Sequence, residues 1–111
     1  MRAFRTVLTC ALLAGWSGSP GAGDLAAGRS KAREVCQTCH GLDGLSKMPN
    51  APNIAGDPEM YIAAQLEAYK TGARQNEMMN VIAQELTEQE IADLSAYFAA
   101  IEVSVKMPPG Q

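Results

Sequence analysis

The sequence predicts an all-α fold of three to four helices joined by loops. Apolar residues recur at helical spacing in the second half of the chain, and no stretch shows the clear two-residue alternation of a half-buried strand. Helix-capping residues stand at the boundaries of these periodic stretches. The chain has 111 residues, of which 47% are hydrophobic, which suits one small domain.

The first helix is predicted over residues 24–36. Ala32 and Val35 are among its apolar positions, and Gly28 lacks a side chain, so another helix could approach closely there. Residues 39–56 are predicted to form a loop, because glycines and prolines recur throughout this stretch.

The second helix has clear boundary signals. Asp57 is predicted as its N-cap and Pro58 as its first residue, because proline suits the first helical position. Gly72 is predicted as the C-cap. The apolar face follows the spacing i, i+4 and i+7: Ile62, Leu66 and Tyr69.

Two more helical segments precede the C-terminus. Residues 76–84 are predicted as a short helix or helical turn. The last helix opens with a capping box, in which Thr87 is the N-cap and Glu90 reaches back to it. Residues 103–111 are predicted to be a C-terminal tail, which leaves 24–102 as the domain. The buried stripe of the last helix is apolar: Ile91, Leu94, Tyr97 with Phe98, and Ile101.

Residues 1–23 are predicted to be an export signal. Two arginines precede a mostly apolar run at residues 7–14, which is too short to span a bilayer by itself. Small residues follow, and the cleavage is expected near Ala22 or Gly23. The alternative is an uncleaved N-terminal anchor. Cleavage would remove Cys10 with the signal.

The charge balance argues against one class of partner. The chain has nine Lys or Arg and twelve Asp or Glu; two of the basic residues precede residue 24, so the formal charge from there onward is −5. Nucleic-acid binding requires a basic surface, which this balance does not offer. An acidic surface is compatible with a partner that presents a basic patch, and solubility alone also explains it.

The stretch Cys36-Gln37-Thr38-Cys39-His40 reads C-x-x-C-H, the pattern for covalent attachment of a c-type haem. The thiols of Cys36 and Cys39 are spaced to form thioether bonds with the two vinyl groups of one porphyrin. His40 is the single histidine of the chain, so it is the proximal iron ligand if haem is bound.

A structural disulfide is the simplest alternative for the two cysteines of this motif. It would close a very small loop and contribute little stability, whereas a buried haem would add a large apolar element to a small exported domain. A haem-free thiol–disulfide protein is a further alternative, but the chain lacks the βαβ pattern of the thioredoxin type.

The sixth iron position has two candidate ligands. Met78 and Met79 lie between the second and last helices, where the chain must cross the opposite haem face, and their position alone does not choose between them. Both could instead be core packing. An open sixth position would indicate a haem enzyme or gas sensor, whereas a closed one favours electron transfer.

Together these segments resemble a class I cytochrome c of the small bacterial monohaem type, similar to the single domains of soluble diheme cytochromes c. The resemblance covers nearly all of the chain after the signal. The matching segments are CQTCHGLDG (36–44), APNIAG (51–56), YIAAQL (61–66), YKTG (69–72), Met79, Leu86-Thr87 and DLSAYF (93–98).

The resemblance implies a cytochrome c fold and roles for two further residues. The distal ligand of the family usually lies eight positions before the residue that caps the last helix, and counting back from Thr87 gives Met79. Pro52 lies twelve residues after His40, where the family has a proline whose carbonyl accepts a hydrogen bond from the proximal imidazole. Gly28 matches the crossing of the first and last helices.

The implied function is periplasmic one-electron transfer by a single covalently bound haem c with His/Met ligation. The chain itself is not expected to be an enzyme. The alternatives are a cytochrome subunit of a dehydrogenase complex and a haem sensor or enzyme with an open sixth site. Expected partners are redox proteins such as a dehydrogenase, an oxidase or a cytochrome complex, with the chain a monomer or a subunit and not stably inserted in a membrane after signal cleavage.

Overall fold

The structure, a computed structural model, describes residues 21–110. These residues contain helices and no strand, so the predicted all-α class is confirmed. The predicted signal lies outside the described residues, apart from residues 21–23. The helices are α1 (Leu25–Val35), α2 (Gln37–His40), α3 (Glu59–Thr71), α4 (Glu77–Gln84) and α5 (Glu88–Ala99).

One helix is additional to the predicted set. The first helix is predicted to end at Cys36 and the loop to begin at Cys39, but residues 37–40 form the single turn α2. The reason is local: the carbonyl of Cys36 accepts hydrogen bonds from the backbone N–H groups of Cys39 (3.3 Å) and His40 (3.0 Å). The C-x-x-C-H motif is therefore wound into a helical turn directly after α1.

The closest contact between helices is the crossing of α1 and α5. A Cβ atom added to Gly28 would lie 2.0 Å from the carbonyl oxygen of Asp93 and 2.8 Å from Cβ of Tyr97. No side chain fits in that space, because real atoms do not approach so closely. The predicted close approach at Gly28 is confirmed, and it brings the backbone of α1 against α5.

The core forms around α5. Leu94 and Phe98 are each 1% exposed, and they are packed with buried residues from α1, α3 and the α4–α5 connection: Ala32, Ile62 and Leu86. Burial of large apolar side chains is the dominant stabilising term in such a domain. Since α5 packs against both α1 and α3, it is the central element of the fold.

The capping box of α5 is confirmed. The hydroxyl of Thr87 accepts a hydrogen bond from the N–H of Glu90 (3.1 Å), and the carboxylate of Glu90 accepts one from the N–H of Thr87 (2.9 Å). Lys31 of α1 lies 2.9 Å from the other carboxylate oxygen of Glu90. These contacts lower the pKa of Glu90 below its usual value. The hydrogen bond from the Lys31 ammonium has the larger effect, and the one from the Thr87 N–H has the next largest.

The start of α3 differs from the prediction by one residue. Pro58, rather than Asp57, is the N-cap, and α3 begins at Glu59. Proline fixes φ but not ψ: Pro58 has ψ of 132°, which is extended rather than helical, while its carbonyl already accepts from the N–H of Ile62 (3.0 Å). The end of α3 is as predicted, since Gly72 is the C-cap with φ of +82°.

Candidate cofactor site

The cysteines of the motif lie three residues apart across the α1–α2 junction. Cys36 is the C-cap of α1, and its N–H donates to the carbonyl of Ala32 (2.9 Å). Cys36 and Cys39 are both half-buried and unpaired. Their spacing in one helical turn leaves two thiols on neighbouring positions of one surface, as two thioether bonds to one porphyrin require.

The chemistry of Cys36 is unsuited to thiol–disulfide exchange. Burial raises the pKa of its thiol to about 12, and the nearby charge of Lys31 offsets only part of this effect. The thiol is therefore protonated at neutral pH, whereas exchange requires a thiolate. The side chains of the C-x-x-C pair fit covalent attachment of a group better than redox cycling between themselves.

His40 is buried and has a defined orientation. Its side chain is 9% exposed, and its Nδ1 atom lies 2.8 Å from the carbonyl oxygen of Pro52. A carbonyl can only accept a hydrogen bond, so Nδ1 carries a proton, and in the neutral ring Nε2 is then the atom with the free lone pair. A histidine that ligates a metal through Nε2 is oriented by this kind of hydrogen bond.

The loop that carries Pro52 is fixed by backbone contacts. The carbonyl of Gly44 accepts from the N–H groups of Ile54 (2.8 Å) and Ala55 (3.1 Å). The amide oxygen of Asn53, the residue after Pro52, accepts from the N–H of Ser46 (2.7 Å). These bonds hold both ends of the loop together, so the Pro52 carbonyl has a defined place opposite the imidazole.

A second anchor joins this loop to the core. The hydroxyl of Tyr97, on α5, donates to the carbonyl of Leu42 at 2.6 Å. Leu42 follows His40 by two residues, so the central helix holds the chain just beyond the histidine. The sequence predicts Tyr97 only as part of the buried stripe of the last helix and does not indicate its hydroxyl bond to the loop.

Met78 and Met79 differ in their burial. Both lie in the first turn of α4, where the side chain of the N-cap Asn76 accepts from their N–H groups at 3.1 Å and 2.9 Å respectively. Met78 is 59% exposed, whereas Met79 is half-buried. The remaining methionines of the described residues are exposed: Met48, Met60 and Met107.

Tyr61, Tyr69 and Arg74 do not form part of the anchoring around His40. Tyr61 is exposed. The guanidinium of Arg74 lies 4.7 Å from the centre of the Tyr69 ring and donates to the side chain of Gln65 at 2.7 Å. These contacts are packing and surface interactions of α3 and the segment that follows it.

Sequence reasoning missed three asparagines that shape the site. Asn53 braces the loop beside Pro52, Asn76 caps the helix that carries Met79, and Asn80 bonds to the preceding segment. A usable signal was present, because asparagine favours turns and helix N-caps, and each of the three is within three residues of a predicted site residue. The described residues contain no group of three or more His, Cys, Asp or Glu that could by itself hold a metal ion.

The two free thiols and the oriented imidazole define a class of protein that binds haem covalently. The donor set fits haem c: two sulfur atoms for thioether bonds and one neutral imidazole nitrogen for the iron. The family model "Cytochrome c" matches residues 25–102. The chain therefore belongs to the cytochrome c family, and the resemblance found in the sequence is confirmed.

Two curated relatives show the extent of the similarity. The chain is 45% identical over 86 residues to cytochrome c4 of Pseudomonas aeruginosa, an alignment that covers 78% of this chain and 42% of the relative. It is 38% identical over 84 residues to cytochrome c-554(548) of Halomonas halodenitrificans, covering 73% of this chain and all of the relative. The chain thus spans less than half of the cytochrome c4 and the full length of the shorter cytochrome.

Solved structures agree with the fold. Reduced cytochrome c4 from Pseudomonas stutzeri superposes with a TM-score of 0.68 at 38% identity, covering 76% of this chain and 48% of that one. Thiosulfate dehydrogenase from Marichromatium purpuratum gives a TM-score of 0.67 at 28% identity, covering 78% of this chain and 21% of that one. The predicted cytochrome c fold is confirmed. None of the helices between residues 21 and 110 has the length and apolar character needed to cross a membrane.

Proposed function

We propose that this chain is a periplasmic one-electron carrier with a single haem c, whose iron is ligated by His40 and Met79. The observation that carries the proposal is the hydrogen bond of 2.8 Å from Nδ1 of His40 to the Pro52 carbonyl, directly beside two free thiols. It leaves Nε2 as a neutral ligand atom of fixed orientation. One C-x-x-C-H motif occurs in the sequence, which supports one haem.

The difference in burial supports Met79 as the distal ligand. A thioether that binds a metal must be turned away from water, and Met79 is half-buried whereas its neighbour Met78 is 59% exposed. The spacing of Met79 to the α5 cap Thr87 supports the same choice. Pro52 contributes through its backbone carbonyl and orients the proximal imidazole without contacting the iron.

Haem c, when bound, supplies the one-electron Fe(III)/Fe(II) couple. The chain would provide the rest: Cys36 and Cys39 would hold the porphyrin covalently, and His40 and Met79 would both ligate the iron, so that nothing would have to bind or leave during transfer. A thioether ligand is soft and favours the reduced iron, which raises the potential relative to a second imidazole. We therefore expect a positive reduction potential.

A subunit of a dehydrogenase complex is the second candidate. The likeness to part of thiosulfate dehydrogenase from Marichromatium purpuratum supports it, because that enzyme includes a region of this fold. The chemistry of the chain would be the same, and only the permanence of the partner would differ. Redox proteins are proposed as partners in either case, at a small transient interface for the free carrier.

Export and domain limits complete the proposal. Residues 1–23 are proposed as the signal, 24–102 as the haem domain and 103–111 as the tail. Residues 103–110 are exposed and form no helix, which suits a segment outside the packed domain.

The test is to express the full chain in a bacterial host that attaches haem c in its periplasm. Denatured purified protein should retain a single haem, seen as a mass increase of one haem and as a pyridine haemochrome spectrum of the c type. The oxidised protein should show the near-infrared Met–iron charge-transfer band at neutral pH. No covalent haem would refute the proposal, and haem without that band would refute the six-coordinate carrier in favour of an open-site haem protein.

A further inference from the structure

Asn80, the residue after Met79, makes three side-chain hydrogen bonds to the backbone of three different residues. Its Oδ1 accepts from the N–H of Asn76 at 2.7 Å. Its Nδ2 donates to the carbonyls of Tyr69 and Arg74, both at 2.8 Å. The amide orientation is unambiguous, because two carbonyl oxygens accept and cannot donate, so the nitrogen must face them.

These bonds add to the packing between α3 and α4, and they act at the end of the molecule where the short connection joins the two helices. Tyr69 lies in the last turn of α3, where helix carbonyls have no partner within the helix. Arg74 lies in the connection, and Asn76 is the N-cap of α4. One amide therefore ties the end of α3, the connection and the first turn of α4 together, and satisfies backbone groups from each.

Asn76 and Asn80 are linked by hydrogen bonds in the first turn of α4. Asn76 accepts from the N–H of Met79 through its side chain, while its own N–H is bound by Asn80. The N–H of Met79 is thus held by Asn76, and Asn76 is in turn held by Asn80. Because α3 packs against the central helix α5, the bonds to Tyr69 and Arg74 hold this turn against the rigid part of the molecule.

We propose that Asn80 is a positioning residue that keeps Met79 bound as the sixth ligand and so closes the distal side to small exogenous ligands. The inference rests on the proposed function, since it takes Met79 as the distal ligand. Asn80 acts through the backbone of the α3–α4 segment and does not itself contact the iron. Without it, the first turn of α4 can move away from α3 while the core remains folded.

The sharpest variant is Asn80→Asp, which keeps the shape and the bond from Asn76. It replaces the donor that faces Tyr69 and Arg74 with an oxygen, so that acceptors face each other. Asn80→Ala is the second variant: it removes all three bonds without adding charge, and it improves intrinsic helix propensity. A loosening of α4 in Asn80→Ala cannot therefore come from poor helix formation.

The measurement is the rate at which cyanide binds the oxidised, haem-loaded full chain at saturating cyanide, where departure of the methionine limits the rate. Both variants should bind cyanide about tenfold faster or more, the effect of losing one or more hydrogen bonds from the closed state. Asn50→Asp, at an exposed loop position, controls for the added charge and should keep the wild-type rate.

Denaturant unfolding of the same samples separates positioning from general stability. A variant destabilised elsewhere, such as Gly28→Ala, should unfold earlier but keep the wild-type cyanide rate under native conditions. If Asn80→Asp and Asn80→Ala both stay within twofold of the wild-type rate, the positioning role is refuted, whatever their stability. Failure of the proposed ligation is seen separately, as persistence of the Met–iron band in Met79→Ala.

Discussion

The two sides of the candidate haem site are held by different means. On the proximal side, His40 belongs to the same helical turn as the two cysteines, and its ring is oriented by a carbonyl only twelve residues away. On the proposed distal side, Met79 comes from α4, whose eight residues pack chiefly against α3. The proximal ligand is thus fixed by local sequence, whereas the distal ligand depends on how separate helices pack.

This difference decides where the site can open. A covalent attachment and a braced loop leave the histidine little freedom. The turn that carries Met79 lies at the start of α4, which packs against α3 and is also bonded through the side chains of Asn76 and Asn80. We expect local opening to cost less there than global unfolding does. The distal side is accordingly where a carrier could be turned into a ligand-binding haem protein.

The largest expected effect is at the distal ligand. Met79→Ala should abolish the near-infrared Met–iron band, lower the reduction potential and allow cyanide to bind without a limiting opening step, because the thioether is gone. Absorption spectra and redox titration of the oxidised, haem-loaded protein measure these changes.

Met78→Ala is the matched control for that change. It removes a methionine one residue away in the same helical turn, and its exposed side chain should be dispensable for the band. Loss of the band in Met78→Ala with retention in Met79→Ala would reverse the assignment of the distal ligand.

A smaller effect is expected in the scaffold that both sides share. In Gly28→Ala, the new Cβ would lie 2.0 Å from the Asp93 carbonyl, so α1 and α5 must separate. We expect a loss of about 1–3 kcal/mol in the free energy of unfolding from overpacking, despite a helix-propensity gain of about 1 kcal/mol. The Met–iron band should be unchanged in native buffer, since neither ligand lies at this crossing.

Ser30→Ala, an exposed position on the same helix, is the control for Gly28→Ala in guanidinium titrations monitored by far-ultraviolet circular dichroism. Equal midpoints for Gly28→Ala and wild type would show that the helices can separate without loss, which would contradict the close packing at the crossing.

The sequence was sufficient for the features that depend on near neighbours. The capping box of Thr87 and Glu90 and the C-cap Gly72 are each set by residues within a few positions. Even so, the start of α3 was misplaced at Asp57, because proline restricts φ and leaves ψ of Pro58 to be decided by packing.

Contacts between distant parts of the chain could not be predicted from the sequence alone. The amide of Asn80 bonds to Tyr69, eleven residues earlier, and the hydroxyl of Tyr97 bonds to Leu42, fifty-five residues earlier. Neither partner is indicated by periodicity, since a backbone carbonyl is present at every residue. Position alone likewise did not distinguish Met78 from Met79. The family resemblance indicated Met79 by its spacing to Thr87, and the folded chain adds a difference in burial between the two.

The smallest expected effect is a pH dependence in the scaffold, remote from both ligands. Lys31 and the Thr87 N–H lower the pKa of Glu90 in the folded protein. An ionised Glu90 therefore stabilises the fold above its unfolded pKa, about 4.3, and this contribution is lost as the pH falls through the lower folded value. Glu90→Gln should have a lower melting temperature than wild type at neutral pH, and the difference should shrink at acid pH.

Glu88→Gln is the matched control, because it removes a carboxylate from the same first turn of α5 and so has a similar effect on the helix dipole. A wild-type-like melting curve for Glu90→Gln at neutral pH, or a difference that grows toward acid pH, would contradict the role of the Lys31–Glu90 pair. The Met–iron band should not follow this titration in either variant, because the pair joins α1 to α5 and leaves α4 untouched. If the band did change with the titration of Glu90, the first turn of α4 would be coupled to the α1–α5 scaffold. The bonds of Asn80, which reach only α3 and the connection, would not explain such coupling.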